Sequence, residues 1–122
     1  MRVTLQADAE PCWLAADKTI HLVRLAREAL SNAERHGRAR HATVTFQTQD
    51  GRGELWITDD GTGFNLSVAP TDERKHFGMS VMKARAASIG GTLRVESAPM
   101  RGARVGVEWQ LQEEHSNASD GR

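Results

Sequence analysis

Two adjacent carboxylates stand directly before a Gly-x-Gly turn, at the point where an apolar strand pattern ends. The acids are Asp59 and Asp60, and the turn contains Gly61 and Gly63. The strand period of two places Asp59 on the apolar face and Asp60 on the opposite face. A carboxylate directed into the core is costly unless donors meet it, and backbone N–H groups or a ligand's amino group would serve. The glycines permit close approach of a ligand, but a tight turn needs them equally.

A second group of polar side chains is spaced for one face of a helix. Glu28, Asn32 and His36 follow one another at intervals of four residues, and Arg35 lies three residues after Asn32. A carboxylate, an amide oxygen and a cation side by side suit a magnesium ion and a phosphate, because Mg²⁺ prefers hard oxygen ligands. The alternative is a solvated helix face on which Glu28 and Asn32 pair locally.

A third group, residues 76–82, is predicted to open another helix. The free N–H groups and the positive end of the dipole make a helix start suitable for a phosphate, and Gly78 would let the phosphate approach the backbone. Arg74 and Lys75 just before it, or Lys83 and Arg85 after it, would add positive charge. An ordinary glycine-containing helix start is the alternative, and on spacing alone Met79 is a core residue.

The remaining residues form no further catalytic or metal-binding pattern. His21, His41 and His115 lack ligand spacing, and the single cysteine, Cys12, excludes an internal disulfide. A formal net charge of zero excludes a general attraction for nucleic acid or an anionic membrane. No apolar run approaches the roughly 18 residues of a membrane span. The tryptophans are interpreted as packing residues.

The hydrophobic periods define the elements that must position these groups. Helices are predicted over residues 16–36 and from the third group to Gly90, with residues 65–75 as a loop. Asp50-Gly51 predicts a hairpin between two of the strands. The predicted strands cover residues 2–7, 43–48, 54–59, 92–96 and 104–111.

Since nearly every strand is polar on one face, the fold class is α+β: a two-layer α/β sandwich whose mostly antiparallel mixed sheet is covered on one face by helices. Residues 1–111 form one domain, and the polar tail 112–122 is expected to be disordered.

The order and spacing of the three groups resemble the ATP-binding (HATPase) domain of sensor histidine kinases, in the Bergerat or GHKL fold group. Residues 27–36 resemble its N box, residues 59–64 its first glycine box, and residues 76–82 its second. The resemblance runs from about residue 5 to residue 111. Within the kinases, the first and third stretches look like the nitrate/nitrite sensor type, NarX and NarQ.

The resemblance implies a role for each matching residue. Asp59 would accept a hydrogen bond from the adenine amino group, and Asn32 would bind Mg²⁺ bridging the ATP phosphates. Arg35 and His36 would lie near the phosphates or ribose, and Glu28 would help to activate the attacking histidine. Residues 65–75 would form a short lid. The glycines that shape the pocket and the lid hinges, and the other implied nucleotide contacts, are Gly61, Gly63, Gly78, Phe64, His76 and Met79.

The sequence departs from the family pattern in the last glycine box, residues 99–105. Met100 replaces its first glycine, and Ala103 replaces a threonine that supports adenine recognition in related ATPases. The second box has the single glycine Gly78. These departures imply weaker nucleotide binding.

The resemblance therefore implies the catalytic domain of a two-component sensor kinase with ATP and Mg²⁺ as cofactors. The phosphoryl group would pass to a histidine on the protein's own dimerisation domain, absent here, and then to a response regulator; this segment alone would not complete autophosphorylation. A cytoplasmic domain of a homodimeric inner-membrane sensor is expected, without nucleic acid or direct membrane contact. The alternatives are a GHKL serine kinase of the anti-sigma type and a degenerate docking module that no longer binds ATP.

Overall fold

A computed structural model describes residues 1–8, 15–62, 73–97 and 101–111, although the side chains of Asp8 and of residues 73–79 lie outside the description. The described chain contains five strands and two helices. In chain order they are β1 (Arg2–Asp8), α1 (Ala16–Arg35), β2 (His41–Gln49), β3 (Arg52–Asp59), α2 (Glu73–Ser88), β4 (Thr92–Ser97) and β5 (Ala103–Gln110).

The strands form one mixed sheet in the order β1-β2-β3-β5-β4. The β1–β2 pair is parallel, and the other three pairs are antiparallel. This confirms the predicted α+β class with a mostly antiparallel mixed sheet. The hairpin between β2 and β3 is also confirmed: Asp50 and Gly51 have φ of 53° and 76°, as a two-residue turn with positive φ at both positions requires.

The core lies between the two helices and one face of the sheet. Helix α1 packs over β2 and β3, and α2 packs beside α1 and over β4. Since all of these residues lie on one side of the sheet, the two-layer prediction is confirmed. The described hydrophobic residues with at most 1% of their surface exposed are Leu25, Ala42, Ile57, Met82, Ala86 and Val107.

The opposite face of the sheet is less exposed to solvent than its polar sequence pattern predicts. Trp56 lies there with only 7% of its surface exposed. The Arg104 guanidinium stands 3.7 Å above its ring, and the indole N–H donates to Glu54 Oε1 over 3.0 Å. A Cβ at Gly106, opposite Trp56 in the register, would collide with the ring. Trp56 is therefore a packing residue, as predicted. Side chains of the same face, Arg104 and Glu54, shield its ring from solvent.

Strand directions and short turns place several element ends at the same end of the sheet. Residues 36–40 connect α1 to the start of β2, so the C-terminal end of α1 lies where β2 begins. Antiparallel pairing brings the last residue of β3, Asp59, to that end, opposite Ala42 on one side and Ala103 on the other. Residues 89–91 connect α2 to the start of β4 at the far end of the sheet, so α2 runs antiparallel to α1 and begins at the Asp59 end. This end of the sheet, called the Asp59 end, therefore contains the end of α1, the end of β3 and the start of α2.

Candidate functional site

Asp59 is a half-buried carboxylate on the helix-covered face of the sheet. Its Oδ1 accepts a hydrogen bond from the Gly61 N–H over 2.7 Å, and the backbone N–H of Ala103 supplies a second. Burial nevertheless raises the pKa of Asp59 above its ordinary value of 3.8, because the desolvation outweighs the two hydrogen bonds. Strand phase thus predicted the direction of Asp59 correctly.

Asp60 is exposed, as predicted, but its carboxylate is fully engaged. Oδ1 accepts hydrogen bonds from the backbone N–H groups of His41, over 3.0 Å, and Arg40, over 2.9 Å. Oδ2 lies 3.0 Å from His41 Nδ1. The hydrogen bonds from the His41 backbone and ring, with that from Arg40, lower the pKa of Asp60 to about 2. No local pattern in the sequence identifies these partners, since strand phase specifies only the face on which Asp60 lies.

The turn after β3 lies directly against the turn after α1. The Thr62 N–H donates to the Gly37 carbonyl over 2.8 Å, and the Asp60 N–H donates to the His41 carbonyl over 3.2 Å. A Cβ at Gly61 would stand 2.6 Å from the Gly37 oxygen. Gly61 is therefore required for this close approach.

Glu28 and Asn32 lie on the side of α1 that faces α2. His21 Nδ1 stands 3.3 Å from Nη1 of Arg85 on α2, and Glu28 and Asn32 follow His21 by seven and eleven residues, on the same helical stripe. Both side chains are half-buried, and neither is hydrogen-bonded to another residue in the described ranges. The alternative in which they pair locally is thus not seen.

The last turn of α1 carries Arg35 and His36 to the Asp59 end. Arg35 is exposed, and His36 is the half-buried C-cap. The Asn32 carbonyl accepts hydrogen bonds from the N–H groups of His36, over 2.9 Å, and Gly37, over 3.0 Å. The position of Asn32 is therefore tied to the turn that Gly61 and Thr62 contact.

The third motif differs from its prediction. Helix α2 begins at Glu73, so residues 73–75, predicted as loop, are helical and His76 does not open the helix. The unpaired N–H groups of a helix belong to its first four residues, which here end before Gly78. The sequence missed this start because Glu73, Arg74 and Lys75 are charged helix formers without an apolar signal. The side chains of His76 and Met79 and any contact of Gly78 lie outside the description, as do Gly63, Phe64 and Met100.

The Asp59 end suits a ligand that carries an amino group and anionic oxygens. Asp59 offers a recessed acceptor, and Asn32 offers an amide oxygen on the neighbouring helix. Among the described residues no three His, Cys, Asp or Glu side chains could hold a metal by themselves. A magnesium ion here would thus take oxygens from the ligand as well as from Asn32, which fits the way Mg²⁺ binds with phosphates.

Comparison with known proteins assigns the family. Residues 17–113 match the family described as histidine kinase-, DNA gyrase B-, and HSP90-like ATPase. The chain belongs to this HATPase family. The matched range contains all three motifs and the whole Asp59 end, and a family of ATPases makes ATP the nucleotide expected of this fold.

The relatives of this HATPase domain include sensor proteins. The nitrate/nitrite sensor protein NarX of Escherichia coli K12 is 34% identical over 86% of this chain, and the sensor protein VraS of Staphylococcus epidermidis is 35% identical over 82%. The chain spans 17% of NarX and 28% of VraS. The predicted resemblance to the nitrate/nitrite type is confirmed. Since VraS is equally similar, the likeness concerns the domain and not a particular signal.

Solved structures confirm the fold of the HATPase domain. The ATP-binding domain of PrrB from Mycobacterium tuberculosis superposes with a TM-score of 0.65 at 22% identity, covering 88% of this chain and 81% of that one. A blue-light activated histidine kinase from Erythrobacter litoralis gives 0.69 at 16% identity, covering 95% of this chain and 37% of that one. At these identities the likeness shows a shared fold.

The two neighbouring aspartates of the HATPase domain are expected to titrate in opposite directions. Carboxyl NMR should place the Asp59 midpoint above 3.8 and the Asp60 midpoint near 2. The stability that Asp60 contributes is present above pH 3.8 and lost as the pH falls towards 2, whereas ionisation of Asp59 lowers stability as the pH rises through its raised pKa. Coincident midpoints, or the reverse order, would contradict the geometry.

Proposed function

We propose that this chain is the catalytic ATP-binding domain of a two-component sensor histidine kinase. It binds Mg-ATP and donates the γ-phosphoryl group to a histidine on a separate dimerisation domain, from which the group passes to a response regulator. The observation that carries the proposal is the half-buried Asp59 carboxylate at the same end of the sheet as the Asn32 side chain, which no described residue hydrogen-bonds. The sensor proteins among the relatives favour this function over a serine kinase or a docking module.

Asp59 and Asn32 would hold the two ends of the nucleotide. The Asp59 carboxylate accepts a hydrogen bond from the adenine amino group, which offsets the burial that raises its pKa. The Asn32 amide oxygen binds Mg²⁺, and Arg35 and His36 add donors near the phosphates or ribose. The placement of Asn32 on the α2 side of α1 supports this assignment.

The remaining roles concern the reaction. Bound Mg-ATP supplies the phosphoryl group, with the metal neutralising phosphate charge. Glu28, one turn before Asn32, accepts the proton of the attacking histidine or orients its ring. Since phosphoryl transfer needs little covalent help from the protein, the domain contributes chiefly by positioning. The residues proposed to line the pocket and its lid are Gly61, Gly63, Phe64, His76, Gly78 and Met79.

The proposed setting is a sensor protein. The domain would act on its own dimerisation domain within a homodimer, on the cytoplasmic side of an inner-membrane sensor. Within the described ranges no helix is both long and apolar enough to span a membrane.

Calorimetric titration of this chain with Mg-ATP tests the proposal. We expect one site per chain, weaker binding when EDTA removes Mg²⁺, and no comparable binding of Mg-GTP, because guanine presents a carbonyl where adenine presents the amino group. With labelled ATP and a dimerisation domain of the NarX type, the product should be acid-labile phosphohistidine. No ATP binding, or acid-stable phosphoserine, would overturn the proposal.

The Ala103→Thr variant is expected to bind adenine nucleotides more tightly than the parent. Ala103 lies opposite Asp59 in the β3–β5 register and is half-buried, so a threonine hydroxyl would stand beside the carboxylate. One added hydrogen bond corresponds to a gain of about 5-fold in affinity for Mg-ATP. Ala103→Val, which adds the same bulk without a hydroxyl, is the matched control. Equal affinities of the two variants would contradict this prediction.

A further inference from the structure

The nucleotide site is built on two chain segments that contact each other through their turns. Residues 36–41 follow α1, which carries Asn32, and residues 60–62 follow Asp59. We call these two stretches together the turn junction. Because Asn32 and Asp59 belong to different elements, the distance between the two proposed ligand-binding groups depends on how firmly the turn junction is held.

The Asp60 side chain makes three hydrogen-bond contacts across the turn junction. Its Oδ1 accepts both the Arg40 and the His41 backbone N–H, and its Oδ2 meets the His41 ring. Among the described residues, Asp60 is the one residue outside the turn after α1 whose side chain hydrogen-bonds to the Arg40 and His41 backbone N–H groups. Two backbone hydrogen bonds also cross the turn junction, from the Thr62 N–H to the Gly37 carbonyl and from the Asp60 N–H to the His41 carbonyl.

The turn after α1 needs such support because its backbone conformation is unfavourable. Arg38 has a φ of 53°, a left-handed conformation that costs a non-glycine residue energy. Such a conformation persists where the surrounding structure over-determines it. The two N–H groups that Asp60 binds follow Arg38 by two and three residues, so the carboxylate holds the chain where it leaves this conformation.

We propose that Asp60 is a positioning residue of the nucleotide site, which fixes the turn after α1 against the turn after β3 and thereby sets the spacing between Asn32 and Asp59. The inference rests on the proposed function, because it assigns the two groups to opposite ends of one ligand. Asp60 itself does not touch the nucleotide. Its low pKa keeps the carboxylate ionised at neutral pH, so this support is constant under ordinary conditions.

The chain offers a matched pair of variants. Asp60→Ala removes every acceptor, whereas Asp60→Asn keeps one oxygen in the Oδ1 position for the Arg40 and His41 N–H groups and loses the charge. Its NH₂ group in the Oδ2 position cannot accept from His41 Nδ1 and can donate to it only when that nitrogen is unprotonated. Because Asp60 is exposed, neither variant creates a buried cavity, and thermal unfolding checks that both are folded. Rescue by asparagine separates the positioning role from a need for negative charge.

Comparing two ligands distinguishes a change in the Asn32–Asp59 distance from a local disturbance of the adenine-binding side. Adenosine needs only the Asp59 side, whereas Mg-ATP needs Asp59 and Asn32 at the correct distance. We expect Asp60→Ala to weaken Mg-ATP binding about 10-fold and adenosine binding less than about 2-fold, with Asp60→Asn within about 3-fold of the parent for both. Titrations followed by amide NMR measure both affinities. The Arg40 and His41 amides should exchange faster with solvent in Asp60→Ala than in Asp60→Asn.

The outcomes separate the two levels of inference. If the parent binds neither ligand, the proposed function fails and the positioning role falls with it. If the parent binds both and Asp60→Ala binds Mg-ATP equally well, only the positioning role is overturned. It is likewise overturned if asparagine behaves as alanine does, or if Asp60→Ala weakens adenosine and Mg-ATP by the same factor.

Discussion

Replacing Asp59 by asparagine is expected to reduce adenine-nucleotide affinity by on the order of 100-fold while leaving the chain folded. The asparagine side chain retains one acceptor oxygen for the Gly61 N–H but presents an NH₂ group where the second carboxylate oxygen stood. This group cannot accept the adenine amino proton, and the charge that strengthens the hydrogen bond is lost. Calorimetry with Mg-ATP and with ADP measures the loss.

Stability is the control for the Asp59→Asn experiment. Burial opposes ionisation of Asp59 and raises its pKa, so an uncharged asparagine avoids the cost of burying a charge. This gain is offset because one backbone N–H group loses its acceptor. We expect the free energy of unfolding to stay within about 1 kcal/mol of the parent value. Nucleotide binding at parental strength by a folded Asp59→Asn variant would rule out Asp59 as the adenine acceptor.

The Gly102→Ala variant is expected to lose about 3 kcal/mol of stability and most of its nucleotide binding. Gly102 has a φ of 76°, and a Cβ there would collide with the backbone carbonyl of Asp59. Because the obstacle is backbone, the end of β3 must shift to relieve the collision. A displacement of the Asp59 carboxylate by about 1 Å would weaken binding on the order of 100-fold. Chemical denaturation and calorimetry measure the two losses.

Gly51 provides a matched control for Gly102. It has the same φ of 76°, but a Cβ placed there meets nothing within 4 Å. Gly51→Ala therefore measures the cost of the left-handed conformation alone, about 1 kcal/mol, and should leave nucleotide binding unchanged. If both variants lose the same stability, the approach of Gly102 to Asp59 is not a constraint on the site.

The features that the sequence predicted are those with a local cause. The period of two separated Asp59 from Asp60, and Asp50-Gly51 predicted the turn between β2 and β3, because both depend on residues adjacent in the chain. The α1 prediction ended one residue beyond the observed Arg35. The roles of Asp59 and Asn32 remain predictions, which their placement at one end of the sheet supports.

Two of the features that the sequence missed depend on contacts between distant segments, and a third is a helix start without an apolar signal. The partners of Asp60 belong to a turn whose left-handed residue, Arg38, has no local sequence signal. The burial of Trp56 depends on Gly106 and Arg104, which lie on the neighbouring strand. The hydrophobic periodicity of one strand does not identify its cross-strand neighbours. The early start of α2 was missed because periodicity follows apolar residues.

The pairing of β3 with β5 has a consequence for how the chain folds. Asp59 and Ala103 meet only when this long-range pair has formed, and Asn32 joins them only when α1 has packed on the completed sheet. No partly folded chain therefore carries the assembled site. A nucleotide bound there would stabilise the whole cooperative unit against the unfolded ensemble, so the thermal midpoint should rise with each increase in free ligand concentration.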